Sequence, residues 1–433
     1  MNRLRKALSN ENTYIVGIIC FLLILTSISF LLLEHEDSTE SDSDKEFLDI
    51  YSPEIWEYNK PDGIRLTFIH NFSESVVISW FTELYATNPL VNYSTQEDLS
   101  NNIIVKPNYK EISSTFIYTA ELVDLLPNKT YFYQISSDKE NKREILNFTT
   151  MPNNPNHIRF FVYGDSRTNR TARRNLVEKI MANFSDDFQF FIHTGDIVAN
   201  GQNQNQWNDY FNDTECLNSY KQGIYVEGNH EGGIWTLMYD NLPMRNKFIE
   251  RNISFSYMDI GFIILDSNDY AAEYAPQTEW LNQTLIQFSQ ENLFNFVFLH
   301  HPLLNVDRVH ENFIINWTRL FDKYNVSLIF CGHDHHYARS YPMTNSTSLE
   351  YDGSELYNYT NLNNSVYITA GGAGAPLYEF PKKPFTAKLK KAYHFVLVDV
   401  KKEVSKTTLS LETWCMPEDF GDLYLFDNIT ISK

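Results

Sequence analysis

Cysteine is scarce, with four residues in a chain of 433, too few for a disulfide framework. Cys20 lies in an apolar run and Cys331 in an expected buried strand. That leaves Cys216 and Cys415 as the one pair available for a bridge, and two inert thiols are the simpler reading. Positive charge is also short. The 35 Lys and Arg against 55 Asp and Glu give a formal net charge of −20, which argues against a nucleic-acid polyanion as a stable partner. No internal repeat is visible, and no G-x-S-x-G elbow that would carry a serine nucleophile. What is present is globular: 43% hydrophobic and 15% aromatic residues exclude pervasive disorder. The length suits two or three domains, each with its own core.

Tyr14 to Leu33 carries no charge over about twenty residues, enough to span a hydrocarbon core as a helix. Arg3, Arg5 and Lys6 precede it, and Glu34, Glu36 and Asp37 follow. The positive-inside rule then puts residues 1–13 in the cytoplasm and everything after 33 outside. The run is long for a cleaved signal peptide and no A-x-A-like site follows it, so a single-pass transmembrane signal anchor at 14–33 is expected in the cell membrane. Fifteen N-x-[ST] sequons, among them Asn71, Asn92, Asn128, Asn147, Asn252, Asn282, Asn325 and Asn428, point to an exported glycoprotein. Asn169, beside a candidate site residue, is the sequon least expected to be modified. Residues 34–51 are acidic and Ser-rich and read as a solvated linker.

From 52 to 152 short alternating runs recur: GIRLTFIH, SVVISWF, STFIYTAEL, TYFYQISS and ILNFTT. They predict a small all-β sandwich around Trp80. The stretch LLPNKTYFYQI, with Tyr131-x-Tyr133, and the closing FTTMP resemble fibronectin type III modules, which act as spacers or platforms. From 156 to 433 apolar strands (IRFFVY, FQFFIH, GIYVE, FIILDS, FNFVFLH, VSLIF) alternate with helical patterns at Thr171–Phe184, Thr278–Ser289 and Asn312–Tyr324. That alternation predicts an α/β layered fold with its sheet faces covered.

Five of the apolar runs end in metal-ligand residue types: Asp165 in YGDSR, Asp196 in HTGD, Asn229 and His230 in EGNHE, His300 and His301 in LHHP, and His333 and His335 in GHDHH. The carboxyl ends of strands in an open α/β sheet share one edge, where ligands bind. A mixed set of carboxylate and imidazole suits Zn, Fe or Mn and is too rich in nitrogen for Ca or Mg. The glycines are expected to let the backbone turn sharply off each strand. His333 and His335, at i and i+2 on an extended end, would point to one side, each toward a different ion.

The order GD, GD, GNHE, His and GHxH, from Asp165 to His335, resembles the calcineurin-like metallophosphoesterases, and within them the purple acid phosphatases. The β module in front, ITAGGAGAPLY and HFVLVDV fit that layout. The resemblance implies two metal ions bridged by Asp196. Asn229, His300 and His333 would complete one site, and Asp165 and His335 would serve the other. His230 would meet the substrate phosphate or protonate the leaving group. The family supplies one more ligand to the Asp165 site, at a position that here is Arg167 or at one that here is Ala199. Neither side chain is such a ligand. Arg167 can instead reach the phosphate as a planar fork, or be structural, and Ala199 implies a colourless protein. His301 and His336 match no ligand position. The implied function is acid phosphatase-like hydrolysis of phosphate monoesters, by in-line displacement at a two-metal site with His230 as general acid. A phosphodiesterase or nucleotide hydrolase of the same fold, and a stalked binding module with an impaired site, stand as alternatives. Oligomeric state and metal identity are not legible.

Overall fold

The computed structural model describes residues 59–68, 72–112, 115–139, 141–231, 252–268, 274–304, 311–343, 358–360 and 364–433. The expected cytoplasmic tail, transmembrane anchor and acidic linker lie outside these residues. Among the described residues no helix is long and apolar enough to cross a membrane.

The first eight strands are β1 (Asp62–Thr67), β2 (Val76–Thr82), β3 (Leu90–Ser94), β4 (Ile103–Val105), β5 (Asn108–Ile112), β6 (Thr115–Leu122), β7 (Thr130–Ser136) and β8 (Leu146–Thr149). They form two sheets, β1-β2-β6-β5 and β4-β3-β7-β8. In β7 Tyr131, Tyr133 and Ile135 alternate inward, the period of two that buries one face of a strand. They close on Trp80, fully buried and stacked on Tyr118 at 5.5 Å. Near the start of β7 the Leu126 N–H donates to the Tyr131 hydroxyl at 2.8 Å. Strands β3, β4 and β5 are not announced by the sequence, because β4 and most of β5 are exposed and lack alternation.

The remaining strands are β9 (His157–Tyr163), β10 (Phe190–His193), β11 (Gln222–Tyr225), β12 (Ile253–Tyr257), β13 (Ile260–Ile264), β14 (Phe294–Phe298), β15 (Leu328–Cys331), β16 (Tyr337–Ser340), β17 (Asn358–Thr360), β18 (Val366–Ala370), β19 (Thr386–Lys390), β20 (Tyr393–Lys402), β21 (Thr407–Met416) and β22 (Tyr424–Ser432). They build two sheets. The first runs β17-β22-β21-β20-β9-β10-β11 and continues into β1, where Leu66 pairs in parallel with Gln222 and the Thr67 hydroxyl donates to the Gly223 carbonyl at 3.1 Å. The second runs β12-β13-β14-β15-β18-β16-β19.

A phenylalanine-rich core that includes Phe160, Phe190, Phe262, Phe296, Phe298 and Phe330 fills the space between the sheets. The helices Arg170–Phe184 and Gln204–Asp213 cover the outer face of the first sheet, and Tyr274–Glu291 and Glu311–Lys323 that of the second. Both faces of the central strands β10, β11, β13, β14, β15 and β18 are thus dry, which is why they read as continuous apolar runs. The helix Gln204–Asp213 was not expected: it is polar apart from Trp207, Tyr210 and Phe211, whose i, i+3, i+4 spacing supplies its buried stripe. Trp207 and Tyr210 are packing residues, both fully buried. Cys216, Cys331 and Cys415 are free thiols.

Candidate metal centre

The two sheets present their ligands toward one another. Asp165, Asp196 and Asn229 follow β9, β10 and β11, three parallel neighbours in register. His300 and His333 follow β14 and β15, parallel neighbours in the facing sheet. The expected single sheet edge is therefore a pair of edges, with the cluster between them.

The backbone turns in an unexpected way. It is the ligands that take the left-handed conformation, at φ 55° for Asp165, 54° for Asp196 and 67° for His333. Non-glycine residues held there store strain, and such strain gathers at functional sites. Gly195 also takes it, at φ +97°, but Gly228 is needed for room: a Cβ there would lie 2.2 Å from the Asp196 nitrogen and 2.4 Å from its Oδ1. His333 and His335 sit on a tight turn, with Asp334 N–H donating to the Gly332 carbonyl and His336 N–H to the Asp334 carbonyl, each at 2.8 Å. Their opposite reach comes from that turn and not from an extended strand.

Four atoms converge. His300 Nε2 lies 3.1 Å from Asn229 Oδ1, 3.2 Å from Asp196 Oδ1 and 3.3 Å from His333 Nδ1, and His333 Nδ1 lies 2.9 Å from Asn229 Oδ1. His300 Nδ1–H donates to the Thr194 carbonyl at 2.8 Å, the outer hydrogen bond that fixes a metal-ligating imidazole. The donor set of two nitrogens and two oxygens fits an ion of the Zn, Fe or Mn kind. Electrostatics agree. Burial lowers the His300 imidazole, but the Asp196 carboxylate overrides this and raises it to about 10. Burial likewise pushes the Asp196 carboxyl up, and protonated His300 outweighs it, holding Asp196 below the usual range. A cluster that keeps a proton on a fully buried histidine is one built around a positive charge.

Across Asp196 the donors are fewer. Asp165 is fully buried and its Oδ2 accepts the His333 N–H at 2.8 Å. Its Oδ1 has no hydrogen-bond partner among the described residues and lies 3.6 Å from His335 Nε2. Burial pushes this carboxyl well above the ordinary range. His335 Nδ1–H donates to the Pro376 carbonyl at 2.8 Å, so its Nε2 lone pair faces inward. Between these groups lies Arg167, whose Nε donates to Asp196 Oδ2 at 3.2 Å and whose Nη2 donates to His335 Nε2 at 3.3 Å.

His230, partly exposed at the rim, gives its Nδ1–H to the Ala199 carbonyl at 2.7 Å, and its Nε2 is 3.8 Å from Asp196 Oδ2. His301 stands beside the cluster, its ring 4.5 Å from that of His333, its Nδ1 2.8 Å from Ser267 Oγ. His336 does not join it and stacks on Phe380 at 5.0 Å. Asn169 caps the helix Arg170–Phe184 by accepting the Ala172 N–H at 3.1 Å.

Two supports escaped the sequence reading. Glu231, fully buried, accepts the N–H groups of Gly228 at 2.7 Å, Asp196 at 2.9 Å, Ile197 at 2.7 Å and Val198 at 3.3 Å. It ties the turn carrying Asp196 to the one carrying Asn229 and His230. Its signal was the acidic residue after GNH. Burial and the Asp196 charge push its carboxyl up to about 8. Buried His193 lies with Nε2 2.9 Å from Ser166 Oγ and accepts the Gly195 N–H on Nδ1 at 3.2 Å, joining the two GD turns. No sequence pattern marked it.

Known proteins resemble this chain in sequence and fold. Residues 61–150 match the family model described as the purple acid phosphatase N-terminal domain, and residues 158–337 the model of the calcineurin-like phosphoesterases. Purple acid phosphatase 5 of Arabidopsis thaliana is 22% identical, covering 79% of this chain and 88% of that protein. The phosphoenolpyruvate phosphatase of Allium cepa is 24% identical, covering 72% and 70%. The solved structure of purple acid phosphatase PPD1 from yellow lupin seeds superposes with a TM-score of 0.73 at 19% identity, covering 86% of this chain and 74% of that one. A structure of PhoD superposes at 0.63 with 11% identity, covering 86% and 90%. With both models matched in order along one chain, residues 61–337 carry the layout of the purple acid phosphatases, with a calcineurin-like phosphoesterase domain at residues 158–337.

Proposed function

We propose that this chain hydrolyses phosphate monoesters at the cluster of Asp165, Asp196, Asn229, His300, His333 and His335. The observation that carries the reading is the convergence of Asp196 Oδ1, Asn229 Oδ1, His300 Nε2 and His333 Nδ1, spaced 2.9 to 3.3 Å along the measured pairs. These four atoms would hold a metal ion, which would polarise the phosphoryl group and activate water as the nucleophile. On the far side of Asp196 a second cation position is bounded by Asp165 and His335, where a second positive charge would meet the phosphoryl oxygens. The chain's own side chains do the rest. His230 is locked by its Nδ1–H bond to Ala199, so Nε2 is the atom that delivers a proton to the departing alkoxide. Arg167 presents donors in a planar fork beside the same space. The monoester preference follows this concentration of positive charge, which suits a phosphate dianion, and the phosphatase names of the relatives are consistent with it.

The same proposal puts the catalytic domain outside the cell, behind the apolar run 14–33. Its support is the sequon set, of which Asn128, Asn183, Asn212, Asn325 and Asn428 are exposed. The test is the full-length protein assayed with Zn, Mn or Fe on a phosphomonoester and a phosphodiester reporter, with Asp196→Asn as control. Metal-dependent monoester turnover lost in the variant supports the reading. A preference for the diester replaces the substrate class, and no turnover in folded protein favours a binding module. Protection from protease in intact cells would overturn the exterior location.

A further inference from the structure

We propose that the second cation of this centre is the guanidinium of Arg167, and that the protein works with one metal ion. The inference rests on the phosphoesterase reading above and names what fills its second positive position.

The geometry is specific. Arg167 leaves β9 two residues after Asp165 and is anchored by its own N–H, which donates to the Asp196 carbonyl at 3.2 Å. Its side chain is 18% exposed, against 1% for Asp196 and none for Asp165. Nε takes one carboxylate oxygen of Asp196, Oδ2, and Nη2 takes the inward lone pair of His335. These are the electron pairs that an ion at this position would need. The other Asp196 oxygen, Oδ1, faces His300 and the His230 N–H. The two oxygens of Asp196 thus serve two different cations, one toward the four-atom set and one toward the arginine.

What remains for an ion on the arginine side is Asp165 Oδ1, which has no hydrogen-bond partner among the described residues. A single oxygen is far short of the four or more donors that Zn, Fe or Mn sites use. The position does not fit a resident metal ion while the fork is in place.

A guanidinium meets the requirement that remains. It is charged at every working pH, and its planar donors match a carboxylate on one edge. It neutralises Asp196 without depending on metal supply. Nη1 makes no hydrogen bond among the described residues and is left for a phosphoryl oxygen. The consequence is a site with one exchangeable ion and one permanent charge.

The test is metal stoichiometry in the full-length protein. Protein saturated with Mn(II) and freed of excess is measured for metal per chain, and its electron paramagnetic resonance spectrum is recorded. The expected result is one ion per chain with the six-line spectrum of isolated Mn(II). Arg167→His, which removes the fork and adds a ligand, is expected to rise to two ions per chain with a spin-coupled spectrum. Two coupled ions in the wild type overturn the inference while leaving the phosphoesterase reading intact. So does an Arg167→His protein that is folded and still binds one. No bound ion in the wild type overturns the phosphoesterase reading itself. The wild-type measurement needs no variant, so the inference stays falsifiable if Arg167→His does not fold.

Discussion

Glu231→Gln isolates the buried brace beneath the metal centre. The wild-type carboxylate receives four backbone N–H groups, Asp196 and Gly228 on one oxygen and Ile197 and Val198 on the other. Glutamine keeps the shape and one accepting oxygen. On its other arm an NH2 group faces two N–H donors, so two buried donors lose their acceptor. At about 1–3 kcal/mol for each unsatisfied buried group, the loss is roughly 2–6 kcal/mol. That is a large share of the 5–15 kcal/mol typical of a domain. The same change loosens the turns that carry Asp196, Asn229 and His230, and outer supports of this kind are worth about 10–100-fold in metal affinity. Denaturant unfolding in the presence of chelator would read the first effect, and calorimetric metal titration the second. A variant within about 0.5 kcal/mol of wild type, with unchanged metal affinity, would refute the assignment of Glu231 as the brace.

Other outcomes follow from the same geometry. His230→Gln is expected to lower turnover by about 10²–10⁴ while metal per chain, measured by mass spectrometry, stays at the wild-type value. Asp213 receives Arg170 at 3.0 Å and also Arg173 and Arg174. Asp213→Ala leaves buried Arg173 without its partner and is expected to destabilise by about 3–5 kcal/mol, visible as a lowered thermal midpoint. Burial pushes the His193 imidazole down to about 3 and that of His394 down to about 4. Unfolding raises both to about 6.5, so below that pH the unfolded chain binds protons that the folded one refuses. The contribution of these two groups to stability therefore falls as pH drops from 6.5, by about 2 kcal/mol for each group at pH 5. The change in denaturation midpoint between pH 7 and pH 5 in metal-free buffer, compared between wild type and His394→Gln, would check this, and the same change in both would refute it.

The centre was legible because each ligand ends a run of apolar residues and each motif is only two to five residues long. Asp165, Asp196, Asn229, His300 and His333 announce themselves locally, and the parallel strands bring them together. The helices at 171–184, 278–289 and 312–324 were legible for a similar reason, since their periodicity is local. The strand order within the sheets was not, because it depends on pairings between residues far apart in sequence, such as Val396 with Val162. Arg167 was visible as a departure from the family pattern. That its fork grips Asp196 and His335 depends on a turn with three positive-φ residues nearby, Asp165, Thr168 and Asp196. Sequence periodicity does not encode such a turn. Glu231 holds backbone N–H groups and left only the acidic residue after GNH as its sign, and His193 bonds Ser166 Oγ and the Gly195 N–H, which no motif marks.

The meeting of Leu66 with Gln222 has a practical consequence for anyone who trims this chain. β11 would be the last strand of its sheet if β1 were removed, and its outer N–H and C=O groups would then face water in a row. Such an open edge invites pairing with another copy. A catalytic fragment cut between the two domains is therefore expected to be prone to clumping even when its interior is sound. The β module shields the enzyme's flank as well as standing in front of it.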